Sequence, residues 1–420
     1  MRQEIVENIQ NPDQLEQLFR MNQQAFARSF SEISDEYNTD LVRFWKIRLA
    51  QEKLSETVRF VKMDLYVVIL LSLFTGLLVK LPAIFPTIDF QSFFDRELSI
   101  VVFNGLILYT FWQNKIFDKK NILIYGIAIL VLFLYINLLP YQPGDFDKLG
   151  DTVKLAFIHS PLLLWCIFGI AHTSFDYKNT SKRIDFIRYN GEFIVMTGLI
   201  LIAGGILTAM TLGLFSVIKI DILKFYQQNI VLIGLVSAPI VSSYLLRLYP
   251  DITSKIAPVI ARVFTPLVLI SLVVYLISMV FSEAKIQEDR NLLLIFNIML
   301  IAVMALIVFS IAELDRNSKR DLNVFVLFLL AVLAIVVNAI ALFAIISRLS
   351  AGFTPNRTVV IGSNVLIFVN LILIAKCLYL AYFKAASLET VENMVAKYLT
   401  VYLGWTIFVI FILPLVFGFK

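Results

Sequence analysis

Residues that commonly carry chemistry are scarce in this chain. It has two histidines and two cysteines among 420 residues, and only 16% of its residues are charged. Both cysteines, Cys166 and Cys377, lie inside apolar stretches, which argues against a disulfide framework and against a thiolate metal cluster. The sequence also lacks a cofactor fingerprint, a nucleotide-binding loop and a catalytic constellation. We therefore predict no cofactor, no metal and no catalytic residue, and an enzyme is the less favoured class of protein.

Apolar residues are abundant instead. Hydrophobic residues make up 59% of the chain, and its mean hydropathy of +0.82 lies far above that of soluble proteins. A spanning helix needs about 20 apolar residues, and only helices or closed barrels satisfy every backbone group inside a bilayer. Continuous runs favour helices, because barrel strands would alternate apolar and polar residues. About eleven runs are present, at 64–86, 97–113, 121–140, 152–173, 192–216, 228–246, 258–281, 291–312, 322–347, 359–383 and 397–418. The predicted fold is an all-α, polytopic transmembrane bundle of about 11 helices over residues 64–420.

Lysine and arginine are distributed unevenly between alternate loops. One side of the predicted bundle carries fifteen: Lys115, Lys119, Lys120, Lys178, Lys182, Arg183, Arg188, Arg247, Lys255, Arg262, Arg316, Lys319, Arg320, Lys384 and Lys397. The other side carries ten: Arg96, Lys148, Lys154, Lys219, Lys224, Lys285, Arg290, Arg348, Arg357 and Lys420. Cytoplasmic loops are enriched in these residues, so the richer side and the N-terminus are predicted to be cytoplasmic. The same charges explain an isoelectric point near 9.0, and no nucleic-acid partner is predicted.

Residues 1–63 are polar and amphipathic, without the apolar core of a cleavable signal peptide, so none is expected. Asn11 and Pro12 predict the N-cap and first turn of a helix. Apolar residues follow at helical spacing: Leu15, Leu18, Phe19, Phe26, Phe30 and Ile33, then Leu41, Phe44, Trp45, Leu49, Leu54, Val58 and Val61. This pattern predicts a small cytoplasmic helical region that binds a protein partner, caps the membrane bundle, or lies on the lipid surface.

The fourth apolar run contains His159, Ser160 and Pro161. Proline removes a backbone donor and tends to kink a helix, and an ionisable residue inside a membrane is a candidate for a proton or solute path. We extend this candidate path to Glu192 and Asn364, polar residues of the fifth and tenth runs. The alternative is that neighbouring groups satisfy each of these side chains locally.

The loop before the fifth run is basic. Lys182, Arg183 and Arg188 surround apolar residues, which predicts a short interfacial helix whose cations bind anionic lipid headgroups. The alternative is that Asp185 and Glu192 pair with these cations.

Two further spacings fall on helix faces. His172 and Asp176 are four residues apart, a spacing that can orient an imidazole for acid–base chemistry. Gly205, Ala209 and Gly213 recur every four residues, which is typical of closely packed membrane helices.

Several segments together point to a family. They are Asn11–Leu15, Phe44–Trp45, His159–Pro161, Arg183–Glu192 with the glycine-rich helix after it, Asn356–Thr358 and Gly362–Asn364. With them the chain resembles, over nearly its whole length, Bacteroidetes-type members of the bacterial domain-of-unknown-function family 4153. The resemblance implies a protein of a Gram-negative inner membrane with no established activity, and it carries over no catalytic residue. The C-terminus is predicted to be periplasmic because an odd number of spans places it opposite the cytoplasmic N-terminus.

Three functions are compatible with these features. We favour a transporter-like protein that binds or moves a small or lipidic solute. A non-enzymatic scaffold or sensor would bind a partner through residues 1–63. An envelope-lipid enzyme would use His172, Asp176, Asp185 and Glu192, but it lacks a nucleophile and a metal set. Membrane lipids are the predicted contacts in each case, and the oligomeric state is not predicted.

Overall fold

A computed structural model describes residues 2–21, 26, 29–30, 33, 37, 39–141, 149–217, 220–280, 290–314, 322–347, 352–384 and 386–419. Throughout these residues the regular structure is helical, without strands, so the all-α prediction is confirmed. Several loop cations counted above lie outside the described residues: Lys148, Lys219, Lys285, Arg316, Lys319, Arg320, Arg348 and Lys420.

Thirteen main helices make up the described chain. They are α1 (Arg2–Glu7), α2 (Pro12–Met21), α3 (Asp40–Val79), α4 (Phe90–Gln113), α5 (Lys119–Leu138), α6 (Asp151–His172), α7 (Thr180–Val217), α8 (Leu223–Leu248), α9 (Pro250–Val280), α10 (Arg290–Ala312), α11 (Leu322–Ile346), α12 (Pro355–Lys384) and α13 (Leu388–Val416). A short helix, Leu81–Ile84, lies between α3 and α4. Helices α8 and α13 each contain one π-helical turn.

Each predicted apolar run coincides with one helix from α3 to α13. Seven of these, α5 to α8 and α11 to α13, are long and apolar enough to cross a membrane, which indicates a membrane protein. Shorter apolar stretches occupy Met63–Val79, Ala261–Val274 and Asn297–Ala312. The count of eleven spans stays a prediction.

Several helices extend beyond the apolar runs into polar sequence. Helix α7 is one continuous helix from Thr180, so the separate interfacial helix predicted before the fifth run is wrong. An apolar run marks only the residues that can lie in the hydrocarbon of a bilayer. A helix can extend past that run, because it ends only where its backbone hydrogen bonds are interrupted. Side-chain caps mark such starts: Asp89 accepts from the Ser92 N–H at 2.7 Å, and Asp118 accepts from the Asn121 N–H at 3.2 Å.

The chain divides into two compact units, residues 1–67 and 68–420. In the first, Asn11 Oδ1 accepts from the Gln14 N–H at 3.3 Å, the predicted N-cap of α2. Its core combines Leu15, Phe19, Phe26, Phe30 and Trp45. The Arg48 guanidinium lies over the Trp45 ring, 4.7 Å from its centroid, and pairs with Glu16 at 2.6 Å.

The second unit has two main apolar cores. The larger joins α9 to α13 and the start of α7, where Ile184 and Ile187 are buried. The other joins α4, α5, α6 and α13 around Leu132, Leu164 and Ile410. In the most apolar 18-residue stretch of α7, by contrast, only 6% of the residues are buried, so most of its side chains face outward, as lipid contact requires.

Loops predicted to share a side of the membrane touch each other. At one end of the second unit, Asn114 donates to the His172 carbonyl at 3.1 Å, and Arg183 donates to the Ala396 carbonyl at 2.9 Å. We call this the Arg183 end. At the other, the Arg96 end, Arg96 donates to the Leu139 carbonyl at 3.0 Å. There Asn356 also donates to Asp151 at 2.6 Å. The contacts agree with the predicted alternation of loops, and which end faces the cytoplasm stays a prediction.

The glycine stripe of α7 does not pack as predicted. A Cβ placed at Gly205 or at Gly213 would meet no atom within 4 Å, and Ala209 is exposed. Within the described chain, close helix contacts instead form at glycines outside this stripe. A Cβ at Gly191 would come within 1.8 Å of the Phe309 ring, and one at Gly362 within 2.1 Å of the Trp405 ring.

Candidate functional site

The proline of α6 is accommodated without a break in the helix. Pro161 has no N–H to give to the Phe157 carbonyl, and the Ser160 hydroxyl donates to that carbonyl at 3.0 Å instead. His159 is buried, and its Nδ1 lies 2.8 Å from the Leu155 carbonyl oxygen, so Nδ1 carries the proton in this bond. The side chains of His159 and Ser160 thus both bond to backbone carbonyls of their own helix, which was the alternative to a polar path.

Asn364 belongs to a polar contact among three helices. Its amide donates to Asn297 Oδ1 of α10 at 2.7 Å, and Asn338 of α11 donates to its backbone carbonyl at 3.2 Å. The buried side-chain Oδ1 atoms of Asn338 and Asn364 accept no hydrogen bond from the described residues. This contact fixes the packing of α10, α11 and α12.

Glu192 lies in a third environment. It is half-buried on α7, where it is near Arg188 and Glu313. Among the described residues, no hydrogen bond or ion pair connects it with His159, Ser160 or Asn364. A continuous path through all four residues stays a prediction, and the structure places them at three separate positions.

The basic loop residues bind protein groups. Lys182 pairs with Asp176 at 3.0 Å. The Nη1 of Arg183 donates to the Ala396 carbonyl at 2.9 Å and to the Thr400 hydroxyl at 3.0 Å, while its Nε donates to the Tyr177 carbonyl. Asp176 is exposed, and the hydrogen bond from Lys182 holds the pKa of its carboxyl below the usual value. Cations at the Arg183 end thus tie loops to helices.

His172 and Asp176 do not form the predicted pair. Helix α6 ends at His172, and Ser174 and Phe175 have φ angles of 55° and 62°. This left-handed backbone reverses the chain, so the helical four-residue spacing does not apply to Asp176. The His172 ring lies 4.6 Å from the Tyr189 ring, centroid to centroid. Among the described residues no hydrogen bond or ion pair joins His172 to Asp176, so the pairing considered for the enzyme alternative gains no support.

A cavity of about 140 Å³ lies at the Arg183 end, between α9, α10 and α11. Polar groups line part of it: Arg262, Thr265, Ser310, Glu313 and Asn323. Pro258 and Pro266 of α9 also line it, although α9 continues through both prolines. Because Pro266 has no N–H, it removes the usual donor to the Arg262 carbonyl. We call this the Glu313 cavity.

Glu313 is the most unusual group in this cavity. It follows the last residue of α10, its side chain is only 8% exposed, and its Oε1 accepts no hydrogen bond among the described residues. The nearest cation is Arg188, whose Nε lies 3.7 Å from Oε1 and whose Nη2 donates to the Ala312 carbonyl at 2.6 Å. Burial raises the pKa of Glu313, and the nearby Arg188 partly opposes this.

Two hydroxyl groups set the hydrogen-bonding character of the cavity. Thr265 Oγ1 lies 2.6 Å from the Ala261 carbonyl and 2.9 Å from Ser310 Oγ. The single hydroxyl proton of Thr265 goes to the carbonyl, so Ser310 donates to Thr265. The Ser310 oxygen then keeps acceptor capacity. Together with the Glu313 carboxylate, it makes this cavity rich in acceptors.

Sequence reasoning missed the Glu313 cavity, although a signal was present. Pro258, Arg262 and Thr265 are spaced to share one face of a helix, and Ser310 and Glu313 are three residues apart. These polar pairs interrupt otherwise apolar helices. In the sequence Arg262 was counted among the loop cations, and Glu313 lies just outside an apolar run. Only the packing of α9 against α10 brings these residues together.

No family model, curated protein or solved structure matches this chain. The resemblance to family 4153 therefore stays a prediction.

Proposed function

We propose that this chain is a transporter-like protein of the bacterial inner membrane that binds a small zwitterionic solute in the Glu313 cavity. It would have eleven spans, a cytoplasmic N-terminus and a periplasmic C-terminus. The observation that carries the proposal is the carboxylate of Glu313: this residue lines the cavity, and its buried Oε1 accepts no hydrogen bond from the described chain. Such a group is costly to bury unless a ligand supplies the missing donor.

The chemistry of the cavity selects the class of solute. Glu313 and Ser310 offer acceptors that suit an ammonium group, whereas Arg262 offers a cation to a carboxylate. The volume of about 140 Å³ is small beside the roughly 300–1,000 Å³ of pockets for drug-sized ligands. A free amino acid has both charged groups and a suitable size, so amino acids are the class we assign.

A thermal-unfolding screen of the full chain in detergent tests this site. Each natural amino acid, and each corresponding decarboxylated amine, is added separately to the wild type, to Glu313→Gln and to Glu389→Gln. The last variant makes the same change at an exposed acid outside the cavity. A ligand at 100 times its Kd stabilises a protein by about 2.7 kcal/mol, which raises the Tm measurably. We expect at least one amino acid to stabilise the wild type and Glu389→Gln, but not Glu313→Gln.

Two outcomes would contradict the proposal. One is an unchanged wild-type Tm with every amino acid and amine, and the other is an equal shift in Glu313→Gln. The stabilising amino acid is then tested for counterflow in proteoliposomes. Binding without counterflow would remove the transport part of the proposal and leave a sensor.

One observation supports the scaffold or sensor as a second candidate. In the first unit, Phe44 and Ile47 of α3 lie about one turn apart and are 55% and 56% exposed. Contiguous exposed apolar patches often contact another protein, and this pair would form part of such a patch. The partner-binding role of residues 1–63 would need such a surface.

A further inference from the structure

A second cavity at the Arg183 end differs from the Glu313 cavity in its chemistry. This groove of about 330 Å³ lies between α6, the start of α7 and α13. Apolar residues make up most of its walls, among them Ile170, Phe186, Leu399 and Leu403. Gly169 leaves room beside the Phe186 ring, which a Cβ at that position would approach to 2.8 Å. We call it the Arg183 groove.

Arg183 supplies the charge of this groove. Protein acceptors occupy its Nε and Nη1 and hold the guanidinium in place. Its Nη2 has no acceptor among the described residues and is left to bind a ligand oxygen. Lys182, the neighbouring cation, is already paired with Asp176 at 3.0 Å. The groove therefore has one fixed cation, whose planar donors suit a phosphate.

We propose that the Arg183 groove binds one anionic phospholipid, with its phosphate at Arg183 and an acyl chain along Ile170 and Leu403. The groove lies on a bundle of membrane-type helices, at the end where loops begin. The charged head of a lipid would therefore lie near Arg183, and its apolar tail would lie along the helices. Its described lining contains no carboxylate that would hold the ammonium of a zwitterionic headgroup. An anionic headgroup such as phosphatidylglycerol is therefore preferred over phosphatidylethanolamine.

Native mass spectrometry of the full chain tests this assignment. The protein in detergent is incubated with equal amounts of dioleoyl phosphatidylglycerol and dioleoyl phosphatidylethanolamine. We expect the wild type to retain one phosphatidylglycerol, at least tenfold in excess of phosphatidylethanolamine. Leu403→Trp fills the groove without touching the Arg183 bonds, and Arg183→Gln removes the charge. Each should reduce retention about tenfold.

Matched controls separate the groove from general effects. Lys182→Gln removes a neighbouring cation, and Ile202→Trp adds the same bulk at an exposed position of α7. Both should retain phosphatidylglycerol as the wild type does. Full retention by Leu403→Trp, equal retention of the two lipids, or equal loss in Lys182→Gln would overturn the assignment. Retention of oleate instead of phospholipid, in a separate incubation with both, would overturn it as well.

Discussion

Glu313 shows how a single carboxyl group is maintained in an unfavourable position. It lies just beyond the C-terminus of α10, where the helix dipole disfavours negative charge, and burial adds a desolvation cost. Arg188 offsets both effects, because it donates to the Ala312 carbonyl and lies 3.7 Å from Glu313 Oε1. Carboxyl groups whose pKa is shifted by burial beside a charged partner cluster at functional sites.

Glu16 gives a prediction for pH dependence in the first unit. Hydrogen bonds from Arg20 and Arg48 lower the pKa of its carboxyl below the unfolded value. A lowered pKa means that the native state favours the ionised form, so its stabilisation is present above the unfolded pKa and is lost as pH falls through the lowered pKa. The protection factors of the α2 amides in the full chain, which correct exchange for its intrinsic dependence on pH, should therefore fall on acidification below about pH 4.5.

The control for this prediction is another exposed acid of the same unit. Glu16→Gln should flatten the pH dependence of the α2 protection factors, whereas Glu7→Gln should leave it unchanged. If Glu16→Gln kept the wild-type pH profile, the pairing with Arg20 and Arg48 would not stabilise this unit.

Residue types were readable from the sequence, but their partners were not. The prediction that Lys182, Arg183 and Arg188 bind headgroups stays a prediction, but the sequence did not show that each of them also has a protein acceptor. Which acceptor an arginine reaches depends on residues such as Ala312 and Ala396, more than 100 positions away in the chain. Local sequence carries no information on such contacts.

At the scale of elements, helix positions followed from apolar composition, while helix contacts did not. The stripe of Gly205, Ala209 and Gly213 predicted close packing, yet it faces outward. Gly191, at the start of α7, instead permits the approach of Phe309 of α10. Small residues allow close contact, but the tertiary arrangement decides which of them receive a neighbour.

The contact of α7 with α10 can be tested at Gly191. Gly191→Ala should destabilise the protein by about 1–3 kcal/mol, because the added methyl overlaps the Phe309 ring. Thermal unfolding in detergent measures the effect. Gly198→Ala, where a Cβ meets no atom within 4 Å, should change little.

A double variant separates this contact from helix propensity. Phe309→Leu removes ring atoms, so its combination with Gly191→Ala should be less destabilised than the two single effects predict. Strict additivity would show that the Phe309 ring does not cause the loss.

At the scale of the whole molecule, the two ends of the second unit give a testable topology. Arg183 contacts Ala396 at one end of this unit, and Arg96 contacts Leu139 at the other. Such contacts divide the loops between the two ends, as expected if successive helices cross the membrane in alternate directions. Charge counting then predicts that the Arg183 end is cytoplasmic. Alkaline phosphatase needs disulfides, which form in the periplasm, and reports the side of a fusion point.

Two fusions in a Gram-negative host decide the orientation. Fusion after Phe419 should give an active phosphatase, and fusion after Ser387 an inactive one. The reverse pattern would invert the proposed topology. Equal activity at both points would show that α13 does not cross the membrane.

The sequence by itself determined that this is an all-α membrane protein, because the cost of exposing so many apolar residues to water leaves no other solution. It also placed one helix at each apolar run. Only the tertiary structure decided where polar groups collect. It brought Arg262, Ser310 and Glu313 to one cavity and set Arg183 beside an apolar groove. Composition determines whether each segment lies in lipid or in water. A binding site depends instead on how helices that are distant in the chain rotate and approach one another.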